Sequence, residues 1–177
     1  MILPTEPFDE RIDILFGELE LAIHYDRPSI LLAVYSSEFI RADAEAALTA
    51  KLRPLGQTVA PYRVSGEDNA DIPYHLSERT DRAATVYFVS GLQWGGGPEG
   101  RMAYRALNIR REYFVDYRIR AVFWLTVTEA NALPYQPAPS KVGQWVNELE
   151  GVRHRRDRLR GPARKRELVV GDRRLEG

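Results

Sequence analysis

The chain has 177 residues, enough for one substantial hydrophobic core, and its 44% apolar content is that of an ordinary globular protein. It contains no cysteine, which excludes disulfides, zinc–thiolate centres and thiol catalysis. Its net charge is zero, but ten of its 25 Lys and Arg and only four of its 25 Asp and Glu lie in residues 151–177, so this tail carries +6 and the rest of the chain −6.

Near the N-terminus, FDERIDILFGELELAIHY sets Phe8, Ile12, Leu15, Phe16, Leu19 and Ile23 at helical spacing with acids between them, which predicts an amphipathic helix. RPSILLAVYSS is a short, nearly continuous apolar run, the pattern of a strand buried on both faces in a parallel sheet. SEFIRADAEAALTAKLRPLG is alanine-rich and reads as a helix to about Lys51, stopped by Pro54 and Gly56. QTVAPYRVS predicts a second strand, and Pro61 marks it as a sheet edge. GEDNADIPYHLSERTDRA mixes turn residues with a short helix.

ATVYFVSGL is the third predicted strand. A helix is then expected over residues 100–117, with Pro98 in its first turn. Arg101, Arg105, Asn108, Glu112 and Asp116 form its polar face; Met102, Ala106, Leu107, Ile109, Tyr113 and Phe114 form the other side. RIRAVFWLT is a fourth, doubly buried strand, and VTEANALPYQPAPS starts as a short helix before a proline-rich break. SKVGQWVNELEGV suits one more helix with Val142, Trp145, Val146 and Leu149 as its apolar stripe.

Alternating strands and helices predict a three-layer α/β fold, with a mostly parallel sheet of four or five strands flanked by helices and a basic C-terminal tail. The expected organisation is an α/β domain over residues 1–139, a docking helix over residues 140–150 and a solvated basic tail over residues 151–177. No stretch approaches the roughly 20 apolar residues of a membrane span, and the acidic opening MILPTEPFDE lacks the basic flank of a signal peptide. A cytoplasmic protein with no membrane partner is expected.

In such a sheet ligands bind beyond the carboxyl ends of the strands. The groups predicted there are Ser36, Ser37 and Glu38 after the first strand, Ser90, Gly91 and Trp94 after the third, and Thr126, Thr128 and Glu129 after the fourth. Ser37 and Thr128 also suit helix N-caps. The loop with Gly91, Gly95, Gly96 and Gly97 has the strand–glycine loop–helix order of a phosphate site, in which Arg101 and Arg105 would supply the positive charge. Against this, Glu99 stands where an anion would go, and neither GxxxxGK[ST] nor GxGxxG is present. His24, His75 and His154 are far apart with no HxxxH spacing, and no GxSxG elbow occurs. No catalytic residue, metal site or cofactor is therefore expected. The arginine-rich tail would suit nucleic acid, but it lacks aromatic residues for base stacking and is diluted by Asp157, Glu167, Asp172 and Glu176.

Taken together, ILLAVYSSEFIRADAEAAL, TVYFVSGLQWGGG, ALNIRREYFVDYRIRAVFWLT and EANALP resemble the P-loop-NTPase-like domain of bacterial STAND-type signalling ATPases and related tetratricopeptide-repeat proteins, over residues 8–139. The resemblance puts the Walker A position on residues 35–41, which hold neither glycine nor lysine, and the Walker B position near Ser90, which has no carboxylate. It thus implies a degenerate, non-catalytic module that acts through a protein partner in bacterial signalling or defence. Trp94, Tyr104, Tyr113 and the arginines of residues 101–112, Arg111 among them, are the expected contact surface, because Trp, Tyr and Arg dominate binding hot spots. A nucleotide is the alternative ligand.

Overall fold

A computed structural model describes residues 8–133. The predicted docking helix and basic tail lie outside the described residues. In chain order the elements are α1 (Phe8–His24), β1 (Ser29–Val34), α2 (Glu38–Leu52), β2 (Thr58–Arg63), α3 (Ile72–Ser77), β3 (Thr85–Ser90), α4 (Arg101–Ile109), α5 (Glu112–Asp116), β4 (Arg120–Leu125) and α6 (Val127–Ala132). The four strands pair in the order β1-β4-β3-β2, and every pairing is parallel. The three-layer α/β architecture follows from this sheet and the helices on both of its faces.

The alternation of side chains along each strand sends Val86 and Phe88 of β3 and Val122 and Trp124 of β4 to one face, where they meet Ile12, Leu15 and Leu19 of α1 and Ala44, Leu48 and Leu52 of α2. Tyr87, Val89, Ala121, Phe123 and Leu125 go to the other face, against Ile72, Leu76, Ala103, Tyr104, Leu107 and Phe114. The chain crosses the whole sheet from β1 to β2 by way of α2, then steps back through β3 to β4 by way of α3, α4 and α5. Right-handed crossovers change faces when the direction of travel reverses, which accounts for the two helix layers.

Pro61 stands in edge strand β2, as its missing N–H requires. Val64 N donates to Ser90 O, so alternation along β2 turns the Pro61 nitrogen to the open side, where no ladder bond is lost. The same alternation on β1, where Ser29 N bonds Ile119 O and Tyr35 N bonds Leu125 O, leaves Ile30, Leu32 and Val34 with their backbone groups toward the other edge.

The single helix expected over residues 100–117 is broken. Gly100 is the N-cap of α4, Arg110 ends that helix, and α5 begins two residues later. Pro98 lies in a separate 3-10 turn (Pro98–Gly100) ahead of α4 rather than in its first turn. Inside α4 itself the buried side differs from the expected one: Asn108, expected on the polar side, is buried, while Met102 and Ile109 are exposed. The inner side of α4 is Ala103, Tyr104 and Leu107 instead.

At the amino end of the sheet, buried Arg120 donates from Nη2 to Ala83 O (2.8 Å) and from Nη1 to Arg27 O (3.4 Å), with Asp26 Oδ1 3.7 Å away. It ties the segments that enter β1 and β3 to β4. Arg120→Met keeps the apolar stem but leaves those carbonyls without their donor. Its expected cost is about 3 kcal/mol by urea unfolding; a cost under about 0.5 kcal/mol would show that the guanidinium is not a structural tie.

Candidate functional site

β1 and β4 are neighbours, but β1 runs on into α2 on one face while β4 runs on into α6, whose Ala130 and Ala132 pack on the other. The crevice that such a switch opens lies between the carboxyl ends of these two strands. Tyr35 continues β1 there. Its hydroxyl donates to Glu38 Oε1 (2.8 Å), and Arg41 Nε donates to Glu38 Oε2 (2.7 Å) while its Nη1 reaches Glu45 (2.8 Å). Burial, then the bond to Glu38, pushes the Tyr35 hydroxyl well above its ordinary value. Burial would also raise Glu38, but the donors from Tyr35 and Arg41 outweigh it and hold the carboxyl below the usual range. Tyr35 is consequently a protonated donor at neutral pH, which is a structural state and not that of a nucleophile.

The strand-end groups are largely occupied by the ends of the following helices. Ser36 is exposed, and Ser37 Oγ accepts from Phe39 N (3.2 Å), which makes Ser37 the N-cap of α2. The cap of α6 is Thr126 and not Thr128: Thr126 Oγ1 accepts from Glu129 N (3.2 Å), and Glu129 Oε1 accepts in return from Thr126 N (3.2 Å). The Thr126-x-x-Glu129 spacing is a capping box, the sequence signal that identifies the right threonine. The second oxygen of this buried carboxylate accepts from Gln93 N (3.3 Å), and Tyr104 Oη donates to the Glu129 carbonyl (3.4 Å). Glu129 thereby fastens the loop after β3 to the start of α6.

Ser90 stays in the sheet, paired with Arg63 and Trp124, and Gly91 opens the glycine loop. The loop is folded against the chain itself. A Cβ on Gly95 would stand 2.3 Å from the Ala103 Cβ, and one on Gly100 2.0 Å from the Leu92 carbonyl oxygen. Gly96 lies between Glu67 and Met102, and Gly97 is exposed beside Met102 and Arg101. The donors at the start of α4 are also engaged: Met102 N bonds Gly96 O (3.1 Å), Gly100 N bonds Gly97 O (3.4 Å), and Arg101 N bonds Pro98 O. Carbonyl oxygens of the loop therefore occupy the positions in which a bound phosphate would accept hydrogen bonds.

Arg101 and Arg105 are exposed on α4, and among the described residues no hydrogen bond or ion pair joins them to Ser36, Ser37 or Ser90. The expected contact surface is partly redrawn. Tyr104 is only 2% exposed, because the phase of α4 turns it into the core, and it cannot belong to a surface. Arg111 is half-buried with Glu112 3.7 Å away, while neighbouring Arg110 pairs with Asp71 and lies over Tyr74 and Tyr113. Trp94 is 59% exposed, and Met102 (42%) and Ile109 (53%) stand on the outer row of α4. Met102 and Ile109 lie seven residues apart along α4, which also exposes Arg101 and Arg105, and Trp94 is exposed in the turn after β3.

Among the described residues no group of three or more His, Cys, Asp or Glu is placed to hold a metal ion, and no helix is long and apolar enough to cross a membrane. Comparisons with protein-family models, with curated proteins and with solved structures find no match to the chain.

Proposed function

We propose that the chain is a non-catalytic, P-loop-like α/β module that works by protein–protein contact, and that the contact is made by Trp94, Met102 and Ile109 with Arg101 and Arg105 at their rim. The observation that carries this reading is the exposure of three large apolar side chains on α4 and in the turn after β3, with two exposed arginines on the same helix. A desolvated aromatic and aliphatic centre with an arginine rim is the composition of interface hot spots. The resemblance to STAND-type domains makes a signalling or defence assembly the setting proposed.

The non-catalytic part of the reading rests on the strand ends. Ser37, Thr126 and Glu129 are spent on helix caps, and the Tyr35 hydroxyl is held protonated beside Glu38. A nucleotide would need Arg101 or Arg105 for charge and the α4 amides for its oxygens, and those amides already bond to Gly96 and Pro98.

A photo-crosslinking phenylalanine analogue placed at Ile109 in cells of the source organism tests the reading, with the same analogue at exposed Thr58, at the start of edge strand β2, as control. Position 109 is expected to yield a discrete adduct that position 58 does not, and Trp94→Ala is expected to reduce it about tenfold. Identical adduct patterns at both positions would overturn the assignment.

A further inference from the structure

A strip of tyrosines and arginines runs across α3, the turn after α4 and α5, and direct contacts join it from end to end. The Arg110 guanidinium lies over the Tyr74 ring (5.7 Å to its centroid) and over the Tyr113 ring (6.0 Å). Tyr113 meets Tyr117 edge to face (5.5 Å between centroids), and the Arg82 guanidinium lies over Tyr117 (5.1 Å). Tyr74 and Tyr117 are exposed and Tyr113 is half-buried, and among the described residues none of the three hydroxyls has a hydrogen-bond partner. We propose that this strip is a docking site for a proline-rich segment of another protein, bound in the extended polyproline II conformation.

The state of the two guanidiniums decides the class of ligand. Arg110 is paired with Asp71, and Arg82 Nη1 donates to the carbonyls of Ser77 and Arg79 at the end of α3. Both cations are engaged by the chain itself and brace the rings. A nucleic-acid backbone or a phosphopeptide needs unpaired cations to neutralise its phosphates, and the strip has none to give. What it offers instead is aromatic surface and free hydroxyl donors. A proline-rich segment matches both, because its pyrrolidine rings pack on tyrosine and its backbone carbonyls, unbonded within a polyproline II helix, accept from hydroxyls.

Spacing and rigidity agree with this. Tyr74 and Tyr113 contact one guanidinium, so their rings are at most about 12 Å apart, while a polyproline II helix repeats its face every third residue, about 9 Å. Prolines three residues apart therefore reach Tyr74 and the Tyr113 and Tyr117 pair together. Rings with two side-chain torsions, already braced by arginine, lose little further freedom when a ligand arrives.

The test is a titration of fluorescein-labelled decaproline with the full chain, followed by anisotropy, with a labelled glycine–serine decapeptide as control. Decaproline is expected to saturate with a Kd below about 1 mM, and the control not to bind. Tyr113→Ala and Tyr117→Ala are each expected to weaken binding about tenfold, and Val115→Ala, also exposed on α5 but outside the ladder, less than about twofold. Tyr117→Phe keeps the ring and its packing and removes only the hydroxyl; a loss of about threefold is expected.

Absence of saturable binding overturns the proposal, as does equal affinity in a chain carrying both Tyr113→Ala and Tyr117→Ala. An oligothymidylate that binds more tightly than decaproline and weakens steeply with salt would also overturn it and give the strip to nucleic acid. Decaproline binding that appears only after Pro134→Ala with Pro137→Ala would assign the strip to the chain's own PYQP run instead of an outside partner. The crosslink from position 109 uses none of these rings, so the α4 contact surface and the tyrosine strip can each fail alone.

Discussion

Gly100→Ala is expected to destabilise the protein by about 4 kcal/mol, with a fall in melting temperature of about 15 °C. Two costs combine. The residue has φ +75, in the left-handed region, where a Cβ costs about 1–2 kcal/mol. The added Cβ would also stand 2.0 Å from the Leu92 carbonyl oxygen and 2.8 Å from the Gln93 Cα, both backbone atoms that move only if the turn after β3 is rebuilt. Gly56→Ala is the internal comparison. It has φ 72 and ψ 16, the same left-handed region as Gly100, but nothing lies within 4 Å of the added Cβ, so only the backbone term of about 1 kcal/mol applies. Urea unfolding of the two variants checks this. Equal costs would mean that the loop is not packed as described, and that its glycines have some other purpose.

Glu129→Ala is expected to cost about 3 kcal/mol. The carboxylate is buried and accepts from Thr126 N at the start of α6 and from Gln93 N in the loop after β3. Removing it leaves two backbone donors without partners, at about 1–3 kcal/mol each less the gain from relaxation, and also dismantles the capping box. Glu129→Gln keeps the shape and one accepting oxygen, and is expected to recover about half of the loss. A glutamine as damaging as alanine would point to a requirement for the charge itself. Alanine at little cost would show that Glu129 is not the fastener between α6 and the glycine loop.

All four strands and the first two helices were legible because they depend on local pattern. The apolar runs in SILLAV and RAVFWL, the heptad-like spacing in α1 and the single proline in β2 each determine an element without reference to its neighbours. The strand order was not legible, since β1 pairs with β4 through a register, Ser29 with Arg120, that no local signal encodes. Tyr104 belongs to the buried row of α4 with Ala103 and Leu107, and the spacing of apolar residues does not distinguish that row from Met102, Ala106 and Ile109. The glycine loop raised a phosphate site by composition alone, whereas what its glycines accommodate, Ala103 and the Leu92 carbonyl, is a matter of tertiary approach. The capping box is legible in the sequence as the Thr126-x-x-Glu129 spacing, a signal that Thr128 lacks.

The pairing of β1 bears on how the molecule assembles. β2, β3 and β4 are joined by successive short crossovers, so each can find its neighbour soon after it is synthesised. β1 is made first, yet its sole strand partner among the described residues comes about 90 residues later. Until residues 120–125 have left the ribosome, the apolar ILLAV segment has no ladder to join and stands as a substrate for chaperones that bind extended hydrophobic peptide. The slow step is then the closing of that long loop, when the α1–β1–α2 layer settles on a half-sheet already built, and variants that weaken the β1–β4 seam should raise the unfolding rate more than they lower the rate at which the remaining strands associate.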